Sequence, residues 1–264
     1  MFFIVALGVL WLIHGYVAWR TIPAMGLSFA ATILFYIIVF IFSLLPVVPI
    51  VLRMSGNESK IIDKFSFIGY TSLGFFTLSF IFLFTKDFII QFISIFSNLV
   101  DTEQPIDNSK RDFIKKSITL GIIGISGTAT GFGFYNSRKG PSVIKHDIFL
   151  ESLPESFNNF TIAQISDLHI GPTIKRPYVE NVLDKISIHN PDLIAVTGDL
   201  VDGSVQYLRS DLAPLKDMIA PFGTYFVTGN HEYYMSNFEE NLQNLNKYNI
   251  TILNNEKIIY EEIN

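Results

Sequence analysis

Three short polar runs in the second half of the chain carry residue types that bind metals and move protons: Ser166-Asp167-Leu168-His169, Gly198-Asp199-Leu200-Val201-Asp202 and Gly229-Asn230-His231-Glu232. Asp167 and His169 are two apart in an extended segment, so both can turn to one side and share a cation through carboxylate oxygen and imidazole nitrogen. Asp199, freed from its strand by Gly198, can place one oxygen on each of two cations, and Asn230 offers a carbonyl oxygen to the second. Two divalent ions about 3.5–4 Å apart would lower the pKa of a bridging water, clamp phosphate oxygens and stabilise an in-line displacement at phosphorus. His231 then stands where it can protonate the departing oxygen, and Asp202 is the carboxylate to orient it. Asp, Asn and His together suit Mn, Fe or Zn, and Mg less well.

Taken singly the runs are weak signals, since Asp-x-His is common and Gly-Asp at a strand end is often a turn or a helix cap. Gly-Asn-His-Glu is rarer, and the order and placement of all three outweigh coincidence. His146 and His189 stand outside the pattern and read as surface or packing residues. Glu232 reads equally as a lining or a supporting carboxylate. Tyr233, Tyr234 and Phe222 read as packing, with an apolar wall for a lipid substrate as the alternative.

The elements that would position these runs follow from period and length. Short apolar runs at Val143–Leu150, Phe160–Ser166, Leu193–Thr197, Thr224–Thr228, Ile250–Leu253 and Ile258–Ile263 predict strands. Helical spacing at Pro177–Ile188, Leu208–Ile219 and Phe238–Tyr248 predicts helices between them. The alternation is that of a layered α/β domain, in which carboxyl ends of successive strands face one crevice. Residues about 30 positions apart in sequence would meet there.

The first half is of another kind. Residues 1–140 carry net charge +4 and residues 141–264 net −9, with 25 Phe overall and only 16% charged residues. Such a composition excludes a disordered chain and an ordinary water-soluble domain. The lack of a cationic face excludes nucleic acid as the main partner. With no cysteine there is no thiolate ligand, disulfide or cysteine nucleophile. Residues 1–137 read as a membrane region, with the lipid bilayer as partner and four spans at 1–19, 25–45, 65–85 and 117–137. Pro46 and Pro49 end the second, and the stretch 88–100 is expected to be an interfacial amphipathic helix. Apart from His14 no span holds a side chain that titrates near neutral pH, which argues against an ion or proton pathway.

The three polar runs resemble the first three signature blocks of the calcineurin-like metallophosphoesterases. Leu153-Pro154 through Ile170-Gly171 resembles the membrane-associated bacterial branch related to UDP-2,3-diacylglucosamine pyrophosphohydrolases. The resemblance implies an α/β/β/α four-layer sandwich beside the α-helical membrane domain, and a binuclear centre of two divalent metal ions. It also implies a phosphorylated small-molecule or lipid substrate at a bacterial cell membrane. Asp167 and His169 would serve one metal, Asp199 would bridge, Asn230 would serve the other, and His231 with Asp202 would assist the leaving group. The Gly-His and Gly-His-x-His blocks that supply the family's remaining ligands do not follow His231. Residues 138–159 are therefore expected to be a linker and first strand, and 160–264 the N-terminal half of a truncated domain, inactive by itself. The alternative is a catalytically inactive membrane module that binds a phospholipid headgroup or a protein partner.

Orientation rests on local charge, because the positive-inside count ties at six for each side. Lys110, Arg111, Lys115 and Lys116 fall just before the fourth span and hold that end in the cytoplasm, leaving everything after Arg138 outside. Alkaline phosphatase fused after Arg138 should accordingly be active in a bacterial host and a fluorescent protein fused there dark. The reverse pattern would put the polar runs in the cytoplasm.

Overall fold

In lipid a backbone without water satisfies its polar groups only as a helix or a closed barrel, and the apolar first half is helical. The computed structural model describes residues 1–97, 108–234 and 238–260. One unit, Met1–Ile50 with Phe65–Asn136, draws on α1 (Phe2–Thr21), α2 (Phe29–Leu44), α3 (Val48–Met54), α4 (Lys60–Ser97) and α5 (Asn108–Arg138). Four helical stretches, Phe3–Met25, Phe29–Met54, Lys60–Ile95 and Asp112–Arg138, are long and apolar enough to cross a membrane. Ser28 caps α2 by accepting from the Ala31 amide, and α2 stops two residues before Pro46. Val17, Phe76 and Leu83 are buried between helices, and the His14 ring lies 4.1 Å from that of Phe76.

The separate interfacial helix expected over 88–100 is, as far as Ser97, the continuation of α4. Residues 98–100 lie outside the described residues. No glycine or proline interrupts the run from Thr85 to Ser97, so nothing stops the helix at the polar pair Lys86-Asp87. Those two charges are satisfied laterally instead: Arg20 lies 2.6 Å from Asp87, and Lys86 donates to Thr119 at 3.3 Å.

The other unit consists of Val51–Lys64 and Ser137–Asn264. Its sheet has four parallel strands in sequential order, β1 (Ile162–Ile165), β2 (Leu193–Thr197), β3 (Thr224–Val227) and β4 (Thr251–Ile252). Between them run α6 (Arg176–Ser187), then α7 (Arg209–Leu212) with a 3-10 turn Ala213–Asp217, then α8 (Phe238–Leu245) with a turn Asn246–Tyr248. The register aligns Ile165, Val196, Phe226 and Ile252 in one row across the sheet. Because side chains alternate along a strand, that row and its neighbours Ala163 and Ile194 share one face. There they meet Val179 and Val182 of α6, Leu212, Leu215 and Met218 after β2, and Leu245 and Tyr248 after β3.

Three expectations are corrected. Val143–Leu150 forms no strand: its apolar residues have no neighbouring strand to complete their hydrogen bonds, and Ile144, Ile148 and Phe149 are exposed. Ile258–Ile263 forms none through Tyr260, and 261–264 lie outside the described residues. The helix expected over Leu208–Ile219 breaks after Leu212, because Pro214 supplies no amide to an α-helical ladder and favours the tighter turn. Among the described residues there is one sheet, with helices on one face.

Phe226 is fully buried at the middle of the row, so Phe226→Ala should lower stability by about 3–5 kcal/mol. Ile162→Ala, at a residue 61% exposed, should change it by less than about 0.5 kcal/mol. The denaturant dependence of amide hydrogen exchange in β2 and β3 measures both; equal losses would place the core elsewhere.

Candidate metal centre

The segments that leave β1 and β2 keep pairing after the strands end. Asp167 donates its amide to the Gly198 carbonyl (3.2 Å), His169 to Asp199 (2.9 Å), and Ile170 to Leu200 (2.9 Å). Asp202 donates back to Ile170 (2.8 Å). The ladder survives a change of backbone hand, since Asp167, His169 and Asp199 have φ of 56°, 49° and 51°. Asp and His tolerate this left-handed region better than most residues, yet it costs roughly 1–3 kcal/mol at each position. It turns the side chains out of the pleat.

Those side chains converge. Single ligand atoms of His169, Asp199 and His231 lie within 4.8 Å of one another. His169 Nε2 is 3.9 Å from Asp167 Oδ1 and also 3.9 Å from Asp199 Oδ2. Asp167 is largely exposed, whereas Asp199 is buried. Asp199 Oδ1 accepts the His231 amide at 2.9 Å, and a Cβ on Gly229 would collide with this carboxylate, so only glycine fits there. Hard carboxylate oxygens and imidazole nitrogens around one point form a donor set that fits a divalent transition ion.

Asp202 holds both imidazoles. Its Oδ1 lies 2.6 Å from Nδ1 of His231 and 3.1 Å from Nδ1 of His169, and the two rings meet edge to face with centroids 4.4 Å apart. A carboxylate can only accept, so each Nδ1 carries the proton and each Nε2 keeps its lone pair for a cation or a transferred proton. The sequence points to Asp202 as the orienting group of His231; that it serves His169 too appears only in the folded geometry. Asn230 is exposed at the rim, where its amide nitrogen donates to the Tyr234 hydroxyl (2.9 Å). Tyr233 stacks on Phe238 and is exposed, as is Tyr234.

Glu232 is the residue whose role the sequence leaves undecided. It is buried, and its carboxylate accepts four backbone amides: Asp199 (3.0 Å), Leu200 (2.8 Å), Val201 (3.4 Å) and Gly229 (2.8 Å). A glutamate three residues after a turn glycine that reaches back to the glycine's amide repeats the geometry of a helix capping box. That spacing, Gly229-x-x-Glu232, is the signal that marks it as a support. Glu232→Ala should orphan four buried donors and cost at least about 3 kcal/mol, while Glu232→Gln retains acceptor capacity at one oxygen and should cost less. Thermal unfolding of the two variants measures this; equal stability to the unaltered chain would show the amides satisfied otherwise.

Residues 160–262 match the family described as calcineurin-like phosphoesterase. A zebrafish protein described as a transmembrane protein with metallophosphoesterase domain is 30% identical over 191 residues, covering 72% of this chain and 42% of that protein. Its bovine counterpart by description is 36% identical over 126 residues, 48% of this chain and 28% of its own. An uncharacterised metallophosphoesterase of Helicobacter pylori is 31% identical over 156 residues, 59% and 40%. The chain thus spans less than half the length of each of these relatives. No solved structure matches it. The strand-end motifs and the converging carboxylates and imidazoles fall within residues 160–262, the stretch that matches the calcineurin-like phosphoesterase family.

Proposed function

We propose that the chain belongs to a membrane-anchored, divalent-metal-dependent hydrolase of phosphate esters or anhydrides. Asp167, His169, Asp199 and Asn230 would hold a pair of ions, and His231 would deliver the proton to the leaving group. The observation that carries this reading is the meeting of His169, Asp199 and His231 at the carboxyl ends of three adjacent parallel strands. Four apolar helices, and relatives described as transmembrane proteins, support action at a bilayer. We further propose a lipid-linked phosphate as substrate, an extracytoplasmic site at a bacterial membrane, and a second sheet that completes a four-layer sandwich.

When bound, the ions supply a nucleophile from water at neutral pH and neutralise phosphate oxygens. The chain's residues do the rest. Asp199 has Oδ1 engaged by the His231 amide, which directs Oδ2 toward His169 Nε2. Asp202, by accepting hydrogen bonds from the Nδ1–H of both imidazoles, fixes their ring planes, and His231, when it also carries a proton on Nε2, donates that proton to the departing oxygen and reverts to the neutral ring. Glu232 keeps the loops after β2 and β3 together, so Asp199 and His231 do not separate as substrate enters.

In the intact protein, Asp199→Asn should remove most hydrolysis of bis-p-nitrophenyl phosphate and lower bound manganese. His231→Asn should retain more metal and slow poor alkoxide leaving groups by about 100-fold or more, p-nitrophenyl esters by much less. Equal slowing for both ester types would reject the acid role. Metal binding without turnover of any phosphoester by the unaltered protein would favour a catalytically inactive module that binds a headgroup.

A further inference from the structure

The stretch Val51–Lys64, from the end of α3 into the start of α4, belongs to the same unit as the candidate metal centre. Three of its charged side chains are not solvated loop charges. Arg53 has a side chain only 4% exposed, a burial that a guanidinium tolerates only with partners. Nη1 donates to Asp63 Oδ1 at 2.7 Å; Nη2 faces Glu58 Oε1 at 3.5 Å and donates to the backbone carbonyl of Asp202. Glu58 accepts the amide of Ser204 at 3.0 Å and its hydroxyl. A Cβ on Gly203, between these two residues, would collide with the guanidinium and come within 2.7 Å of Glu58 Oε1. Residues 202–204 are thus clamped by Arg53 and Glu58.

Asp63 has partners beyond Arg53. Asp63 Oδ2 accepts from Lys175 at 2.7 Å and from Tyr207 at 3.1 Å, and Lys175 also reaches Asp211 at 3.4 Å. Burial, and then the neighbouring Asp63, pushes the Tyr207 phenol up to about 12, so it remains a donor at neutral pH. A guanidinium with opposed partners on both nitrogens has little freedom to rotate.

We infer that Arg53, held by Asp63 and Glu58, is a positioning residue for Asp202, and through it for the His169 and His231 imidazoles. The 51–64 segment is then a working part of the catalytic unit rather than a connector between apolar helices. The catalytic consequence rests on the hydrolase reading above; the positioning itself does not. Among the described residues Asp202 joins the clamp to the rings: its carbonyl accepts from Arg53, and its carboxylate accepts from the Nδ1–H of both imidazoles.

The test compares Arg53→Met with Lys175→Met. The second breaks the outer pairs with Asp63 and Asp211 but touches nothing in 202–204. The first readout is the 15N-histidine spectrum of the metal-free 264-residue chain in detergent, in which five histidines report separately. Arg53→Met should shift the two hydrogen-bonded Nδ1 signals, and Lys175→Met should leave them in place. The second readout is hydrolysis by the intact protein. Arg53→Met should lower kcat for alkyl phosphoesters by about 10-fold or more with little change in KM, and p-nitrophenyl esters should suffer less. Should Arg53→Met fail to fold, Gly203→Ala displaces the guanidinium without removing a charge and should give the same pair of results. Unchanged histidine signals and unchanged ester selectivity in a folded variant would overturn the inference. Shifted signals in a protein that hydrolyses nothing would uphold the positioning and overturn the hydrolase reading instead.

Discussion

One buried carboxylate sets the geometry on which the site depends. Glu232 takes the amides of Asp199, Leu200, Val201 and Gly229, so one side chain fastens the turns leaving β2 and β3, which the His231 amide also joins through Asp199. A turn that leaves a strand end has amides no ladder can use, and burying them unpaired would cost about 1–3 kcal/mol apiece. Meeting four of them with a single charged acceptor lets the backbone run through the tight approach of Gly229 to Asp199 without water. The positions of Asp199 and His231 follow from that fastening, and Asp202, three residues further on, then falls where both imidazole Nδ1 atoms can reach it.

How far the sequence foretells this depends on how local the cause is. β2 has the bounds its residues predict, Leu193–Thr197, because Pro191 and Gly198 punctuate a β-branched apolar run. Val143–Leu150 also has apolar residues yet forms no strand, because a strand exists only by virtue of a partner and partners are not written in the segment itself. Helical spacing alone predicts a helix through Ile219, whereas Pro214 breaks it after Leu212. The motif residues were legible because glycines and strand ends mark them. Arg53, Glu58 and Asp63 were not, since they lie about 140–150 positions from Asp202 and Ser204, and in sequence they look like the solvated charges of a loop between apolar helices.

The apolar helices obey a different economy from the sheet. Their large side chains are mostly exposed, as suits a solvent as apolar as they are, while small or polar groups such as His14, Ser43 and Ser79 are turned inward. The charged pairs Arg20–Asp87 and Lys86–Asp87 show the same rule at one level of the bundle. Charges that cannot reach water find each other. Arg53 with Asp63 and Glu58 follows that rule too, although the second partner of this network is a protein surface rather than another helix.

The electrostatics of the site bear on why it is built under strain. Asp167, Asp199, Asp202 and Glu232 bring four carboxylates together in a half of net charge −9, with two imidazoles beside them as hydrogen-bond donors. Like charges at such spacing oppose folding, and three left-handed residues oppose it further. A fold that accepts both penalties at the same residues stores them against a bound cation, which would relieve the repulsion and be gripped by ligands already in place. On that view the hydrogen bonds of Glu232 and Asp202 resist the outward push of the acidic cluster. Metal affinity should then depend on these supports as much as on the atoms that would touch the ion, because a support that yields lets the carboxylates separate before a cation can use them.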